Sequence, residues 1–403
     1  MSKIDDLIKQ YCPNGVEYRE VGDVAKILNG YAFKSSKYVP SGIRVIRISD
    51  VQKGKMSDKD LNFYPLEMEE EIKNYLLYEN DLVMSLTGNV GRVAMLSPKE
   101  LPAGLNQRVC CIRPIQDVVL TRFLFHIFDT DTFENNAMAN ATGGGQKNMS
   151  TNWLSEYKIP VPPLPVQEAI VKVLDTFTEL EKELEKELEK RKQQYEYYRN
   201  KLLTPENMNG GVKWMTLGEV AYYPNTRISA SMLTNDNYVG VENLLKDKQG
   251  KTISTCVPKQ GQFIEYKKND ILIGNIRPYL RKIWLADNNG GTNGDVVLIR
   301  RKAEKDNLIT ARFLYHILMS EDFFKYDNQY AKGAKMPRGD KNMILKYRFP
   351  VPSLAEQERI VGILDKFDAL VNDISVGLPA EIEGRRKQYE YYRNKLLTFP
   401  QVV

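Results

Sequence analysis

RKQQYEYYRNKLLT, residues Arg191 to Thr204, returns 194 residues later as RRKQYEYYRNKLLT, Arg385 to Thr398, with twelve of 14 positions identical. The segments before each copy, from about Met1 and from about Met208, agree far less. The chain therefore reads as one unit used twice, with near-constant joining segments and divergent intervening domains. Such a molecule is suited to gripping two different things at a fixed separation.

The repeat extends outward from that block. KIPVPPLPVQEAIVKVLDTF (Lys158 to Phe177) matches RFPVPSLAEQERIVGILDKF (Arg348 to Phe367) at 11 of 20 positions, offset by 190. RFLFHI at Arg122 and RFLYHI at Arg312 share that offset. NGVEYREVGDVA at Asn14 faintly echoes GGVKWMTLGEVA at Gly210. The order of parts is the same in both halves, so the chain is a duplication with four segments: 1–157, 158–207, 208–347 and 348–403.

The first and third segments carry short apolar runs bounded by turn residues: IRVIRIS at Ile43, NDLVMSL at Asn80, RVCCIRP at Arg108 and NDILIGNI at Asn269. These predict strands. A helical stretch closes each domain, which makes the class α+β. The second and fourth segments open with a proline-rich hinge, PVPPLP or PVPS, of extended backbone.

A long helix follows each hinge. In the first, Ile170, Val173, Leu174, Phe177, Leu180, Leu184, Leu188, Tyr195, Tyr198 and Leu202 recur at steps near three and four. In the second the same holds for Ile360, Ile363, Leu364, Phe367, Leu370, Val371, Ile374, Leu378, Ile382, Tyr389, Tyr392 and Leu396. Gln167-Glu168 and Gln357-Glu358 sit at the helix starts, where acidic groups suit the dipole. The two helices are expected to pair as a coiled coil. Gly377 and Pro379 predict a kink or restart in the second. The offset grows from 190 to 194 along it, as one added helical turn would produce. ELEKELEKELEK, Glu179 to Lys190, drifts about 40° per four-residue step, so it reads as a ruler segment rather than a long zipper.

Composition is that of a folded chain, with 42% hydrophobic and 27% charged residues over 403 positions. No apolar run nears the roughly 20 residues that span a bilayer. The N-terminus lacks the apolar stretch of a signal peptide, so a cytoplasmic protein with no membrane contact is expected. The four cysteines, Cys12, Cys110, Cys111 and Cys256, form no C-x-x-C and read as buried reduced thiols. Two histidines exclude a His-rich metal site. His126 and His316 recur at matching positions, which points to packing rather than catalysis. A net charge of +5 is compatible with nucleic acid.

Catalytic motifs are missing. Gly250-Lys251-Thr252 lacks the glycine of a phosphate-binding loop, because position 245 is leucine. There is no H-E-x-x-H, no G-x-S-x-G, no Asn/Asp-Pro-Pro-aromatic of amino-methyltransferases and no Pro-Asp before Glu-x-Lys of a common nuclease core. No catalytic residue, metal site or bound cofactor is assigned, and a binding or scaffold role leads. Base-edge readers need Arg, Lys, Asn or Gln on positioned loops. In the first domain the candidates are Lys34 and Lys37, Asn89 and Arg92 in the loop from Thr87, Gln107 and Arg108, and Gln146 and Lys147 in a glycine-rich stretch. In the second they are Asn275, Arg277, Tyr279, Arg281 and Lys282, then Lys332, Lys335, Arg338 and Lys341. The two sets lie at equivalent places in the repeat.

With these parts assembled, the chain resembles the specificity subunit of type I restriction–modification systems. The features that carry it are P-V-P-P-L-P-V-Q-E with P-V-P-S-L-A-E-Q-E, the two long helices, L-P-A-E-I-E at Leu378 and the doubled Q-Y-E-Y-Y-R-N-K-L-L. The resemblance implies two target-recognition domains related by pseudo-twofold symmetry, each reading half of a split double-stranded DNA site. It implies an antiparallel coiled coil between them. It implies docking of two methyltransferase subunits, which bring S-adenosylmethionine, and of restriction subunits that use ATP and Mg to translocate and cut DNA. Tyr195, Tyr198, Leu202, Tyr389, Tyr392 and Leu396 are then candidates for subunit docking or helix pairing. The rival reading is a coiled-coil adaptor that bridges two proteins without touching DNA.

Overall fold

The computed structural model describes residues 2–373 and 376–401. Ile374, expected on the apolar stripe of the second helix, lies outside the described residues. The chain forms two compact units, Met1–Glu183 with Glu383–Val403, and Leu184–Ile382. Compactness therefore groups the chain differently from the repeat, because each unit takes in part of both helical regions.

Each unit is α+β with two four-stranded sheets, and one of the two has the same strand plan in both units. In the first, Ala25–Asn29, Val109–Pro114, Leu82–Ser85 and Val93–Met95 form one antiparallel sheet in that order. Phe63–Tyr64, Ile43–Ile46, Ala103–Leu105 and Leu76–Leu77 form another, whose central pair runs parallel. The second unit repeats the antiparallel sheet with Ala221–Tyr222, Val296–Arg301, Ile271–Gly274 and Ile283–Leu285. Its other sheet is Arg227–Ser229, Gln262–Tyr266, Gly290–Thr292 and Tyr238–Val239, the last two parallel.

The uninterrupted apolar runs now have a cause. A strand with one wet face alternates, whereas a strand buried on both faces does not. Cys110 packs into one core cluster and Cys111 into another on the opposite face. Ile271 and Ile273 likewise face one core of the second unit, and Leu272 the other. Cys256 departs from the expectation of burial: it is exposed, in a stretch without regular structure.

The proline-rich hinges begin at the ends of short strands and lead into the helices. Lys158–Pro160 pairs antiparallel with Tyr18–Glu20, and Arg348–Val351 with Lys213–Thr216. The helix after the first hinge runs unbroken from Leu164 to Leu202, 39 residues. After the second hinge there are two helices, Leu354–Asn372 and Leu378–Leu396. A Cβ on Gly377 would meet the Ala369 carbonyl oxygen at 2.5 Å, so glycine is required between them. Pro379 sits in the first turn of the restarted helix, where its missing N–H costs nothing. The four added residues thus fall at this break and not in an extra turn.

Gln167 and Gln357, read from the sequence only as helix-start residues, are fully buried clamps. Gln167 accepts from Leu120 N at 2.9 Å and donates to the carbonyls of Val118 and Pro162 at 2.9 and 2.7 Å. Gln357 makes the same three bonds to Thr310, Leu308 and Pro352 at 2.9, 2.8 and 3.0 Å. Each satisfies loop backbone that burial would otherwise leave unpaired.

The twin blocks complete the cores. In the second unit Tyr195 and Tyr198 stack on Phe367, with centroids 6.0 and 5.4 Å apart. In the first unit Tyr389 and Tyr392 pack on Phe177 at 6.3 and 5.4 Å. Arg386 pairs with Glu181 beyond Phe177, so the two segments run antiparallel. The block from each half of the chain therefore serves the unit built on the other half. Leu180 is 39% exposed while Leu188 packs on the second core, as the drift of the ELEK repeat predicts.

Candidate nucleic-acid interface

In the first unit four loops converge through backbone bonds. Gly88 N donates to Lys147 O at 2.9 Å, and Met149 N to Leu86 O at 2.7 Å. Leu86 N donates to Arg108 O at 3.0 Å, and Gln107 N to Tyr31 O at 3.0 Å. The loop from Thr87, the Asn106–Arg108 turn, the triple-glycine stretch and the Tyr31–Lys37 segment are thus neighbours. Thr87 Oγ1 donates to Asn148 Oδ1 at 2.9 Å, which fixes the contact between two of them. Lys34, Asn89, Gln107, Arg108, Gln146 and Lys147 are exposed there. Nothing lies within 4 Å of a Cβ built on Gly144 or Gly145, so this backbone is open to close approach. Lys37 is exposed, 3.8 Å from Glu71. Tyr31 donates to Glu71, a hydrogen bond that raises its pKa to about 12.

The second unit builds the same junction from different residues. Arg277 N donates to Pro337 O at 2.7 Å, and Gly339 N to Asn275 O at 3.1 Å. Arg277, Tyr279, Lys332, Lys335, Arg338 and Lys341 are exposed. Lys332 pairs with Asp340 at 2.6 Å and Arg338 with Asp295 at 3.0 Å. Arg277 adopts a left-handed φ of 54°, where its counterpart Gly88 has 78°. Arg281, at φ 49°, similarly stands for Gly91 at 82°. A side chain in this region costs roughly 1–2 kcal/mol per residue, so both arginines are held there by their surroundings.

For Arg281 the reason is internal, which corrects its place among the DNA candidates. It pairs with Asp247 and, at 2.9 Å, with Glu321. Glu321 also meets buried Lys248 at 3.1 Å, and Lys248 reaches Glu196 of the long helix at 2.8 Å. Lys282 is likewise turned inward, donating to Val241 O at 2.7 Å. Arg92 is half-buried, 3.6 Å from Glu134. For Arg277, by contrast, no side-chain partner occurs among the described residues.

Asn275 was expected at the surface and is buried. Beneath the first unit's loops lie Leu86, Ala137 and Met149, all buried and apolar. The equivalent positions of the second unit are Asn275, Asp327 and Gly339. A Cβ on Gly339 would stand 2.4 Å from Asp327 Oδ1 and 3.1 Å from Asn275 Oδ1. Those two oxygens are buried without a hydrogen-bond partner. Burial raises the Asp327 pKa to about 6. One junction rests on packing and the other on buried polar groups.

The block residues are placed inside each unit. Tyr195 and Leu396 are buried; Tyr198, Leu202, Tyr389 and Tyr392 are half-buried. Arg199 and Arg393 are buried too, stacked 4.0 and 4.9 Å over the rings of Tyr195 and Tyr389. Arg199 pairs with Glu196 and Arg393 with Asp129, at 2.7 and 2.8 Å. Burial raises Asp129 to about 6 even so. His126 and His316 are packing residues with polar anchors, 2.9 Å from Asp175 and Asp365. Burial lowers both imidazole pKa values, so each ring is neutral and its Nε2–H donates. Burial works against Asp175, but hydrogen bonds from His126 and Arg122 outweigh it and hold the carboxyl at about 2. His126 Nδ1 is left to accept from the Tyr389 hydroxyl at 3.0 Å. The face of the block that stays outward carries Tyr197 and Tyr391, 59% and 62% exposed, with Asn200, Lys201, Asn394 and Lys395.

A family model described as the type I restriction modification DNA specificity domain matches residues 13–190 and again residues 209–384. The Escherichia coli type I restriction enzyme EcoR124I/EcoR124II specificity subunit is 33% identical over 270 residues, 62% of this chain and 65% of that one. A putative type I restriction enzyme specificity subunit of Haemophilus influenzae is 34% identical over 296 residues, covering 69% and 72%. The crystal structure of a type I restriction–modification S subunit from M. genitalium aligns over 95% of this chain and 96% of its own, with TM-score 0.52 and 15% identity. A chain solved in work on complex assembly and conformational transition of the type I R-M system aligns over 96% and 98%, with TM-score 0.61 and 15% identity. At that identity the likeness is one of fold.

Two outcomes follow from the second unit's junction. Asp327 has a folded pKa above its unfolded value, so it favours the fold most at low pH and that contribution fades as pH rises from about 4 through about 6. Asp327→Asn should therefore stabilise the protein at pH 8 by up to about 2–3 kcal/mol and give no such gain at pH 4, as read by denaturant titration. An equal effect at both pH values contradicts a buried charge. Arg277→Gly should leave the melting temperature nearly unchanged, because relief of about 1 kcal/mol of strain offsets a similar entropic cost. Its DNA affinity should nevertheless fall several-fold in a gel shift. A variant that melts much lower would make Arg277 structural.

Proposed function

Because the chain belongs to the family of type I restriction modification DNA specificity domains, we propose that it reads a split DNA target, one half-site through each unit. The observation that carries this reading is the doubled loop junction. Two folded units that share an antiparallel four-stranded sheet present exposed Lys, Arg, Asn and Gln at equivalent loops, with different residues in each. Different residues on a common frame suit recognition of two different half-sites. The cations engage phosphates and steer association, and the planar and amide side chains address base edges.

We assign methylation and cleavage to partner subunits, and with them S-adenosylmethionine, ATP and Mg. The repeated block supports two copies of one partner. Its inward residues are used in packing, yet outward Tyr197 and Tyr391 are also repeated, and so are Asn200 with Asn394 and Lys201 with Lys395. Core packing does not require that outer identity. A methyltransferase subunit docking at each copy does, because two identical partners need two like surfaces.

In cells expressing this chain with its methyltransferase, mapping of methylated adenines should return one bipartite motif with a fixed spacer. Deleting one E-L-E-K unit removes about 6 Å of helix, which is at most about two base pairs of B-DNA at roughly 3.4 Å each. The mapped spacer should change by that amount while both half-sites persist. Methylation at a single uninterrupted motif would overturn the split reading, and an unchanged spacer would overturn the ruler.

A further inference from the structure

The tip of the second unit's junction carries two large apolar side chains, Tyr279 and Met336, that are 53% and 52% exposed. They do not dangle. Lys332 and Arg338 exchange backbone hydrogen bonds at 2.9 and 2.8 Å, which closes residues 333–337 into a tight tip. Ile276 bridges Arg338, and the bond from Arg277 N to Pro337 O at 2.7 Å ties this tip to the neighbouring loop. Buried Pro278 and the left-handed Arg277 fix the direction from which Tyr279 leaves that loop. The tip is thus a held backbone with Met336-Pro337 outward and Tyr279 beside it.

Single exposed apolar residues need no explanation, but two on clasped loops that also carry cations do. Arg277, Lys332, Lys335, Arg338 and Lys341 lie on or beside the same two loops and all are exposed, Lys332 and Arg338 paired with Asp340 and Asp295. Apolar side chains among cations match the DNA duplex, whose stacked base faces are apolar and whose edges are phosphate. Met and Pro are among the side chains that enter a base step as wedges, and an aromatic ring stacks on an opened base. The first unit offers no such element at its junction. Gln146 stands where Met336 stands, and the neighbouring loop is one residue shorter, with only Asn89 and Val90 between Gly88 and Gly91 and no aromatic side chain.

We propose that the second unit inserts Met336 at a base step of its half-site, with Tyr279 against the opened base, whereas the first unit reads an unopened duplex through polar contacts. This rests on the DNA-reading function proposed above and adds a means of specificity to it. Opening a step is least costly where stacking is weakest, at pyrimidine–purine steps. The half-site of the second unit therefore contains or adjoins such a step, and it is read partly through deformability.

The test uses the full 403-residue chain alone, so that no partner handles the bases. Duplexes carrying the mapped target have 2-aminopurine at successive positions, and binding is followed in parallel by gel shift. Wild type should brighten the probe at one step of the second half-site and nowhere in the first. Met336→Ala should abolish that signal and lower affinity about tenfold, while Met336→Leu retains both and Gln146→Ala changes neither. Tyr279→Ala should reduce the signal in part. A complex that forms with no brightening, or a signal that survives Met336→Ala, overturns the wedge and leaves DNA reading intact. Failure of the wild-type chain to shift the mapped duplex overturns the DNA reading itself.

Discussion

Packing of a tyrosine from one half of the chain, with a buried arginine stacked on it, against a phenylalanine of the other half is the contact on which both units depend. Tyr195 and Arg199 close the second unit over Phe367, and Tyr389 and Arg393 close the first over Phe177. Loss of a buried aromatic costs about 3–5 kcal/mol, which is a large part of a domain's net stability. The guanidinium groups are tolerated because each lies on a ring and meets a carboxylate. Near-identity of the two blocks on the inner face is therefore a packing requirement. It would hold however far the loops diverged.

The loops did diverge, on a shared frame. The four-stranded antiparallel sheet, the glutamine clamps and the histidine–carboxylate anchors recur in both units. Above them, Leu86, Ala137 and Met149 give way to Asn275, Asp327 and Gly339, and two glycines give way to Arg277 and Arg281. At this junction the second unit has buried unpaired oxygens on Asn275 and Asp327 and left-handed arginines where the first has apolar side chains and glycines. Strain and buried polarity of this kind gather where a surface must present particular groups. The stable scaffold below supplies the free energy that tolerates them.

Much of this was legible in residues alone. The α+β class, the duplication, the hinges and the break near Gly377 follow from period, proline and offset. The family follows from the repeated motifs. What stayed hidden was three-dimensional. Nothing local in RKQQYEYYRNKLLT says that the helix carrying it completes the other half's core. A charge in a loop reads the same whether it faces solvent, like Arg277, or a carboxylate network, like Arg281. Gln167 and Gln357 were visible as a repeated pair, but so were Glu168 and Glu358 beside them, which are exposed, so identity alone did not single out the clamps. Cys256 shared its residue type with buried cysteines but not their apolar neighbours. Asn275 became buried because Gly339 leaves room beside it.

Amide hydrogen exchange on Tyr389→Ala/Arg393→Ala, compared with wild type, tests the reciprocal completion of the units most directly. The account predicts that protection falls in Thr121–Phe128 and in the start of the Leu164–Leu202 helix, more than 180 residues away in sequence. Protection in Ala311–Leu318 and Leu354–Asn372 should stay as it was. Unchanged protection around His126, or equal loss around His126 and His316, would contradict it.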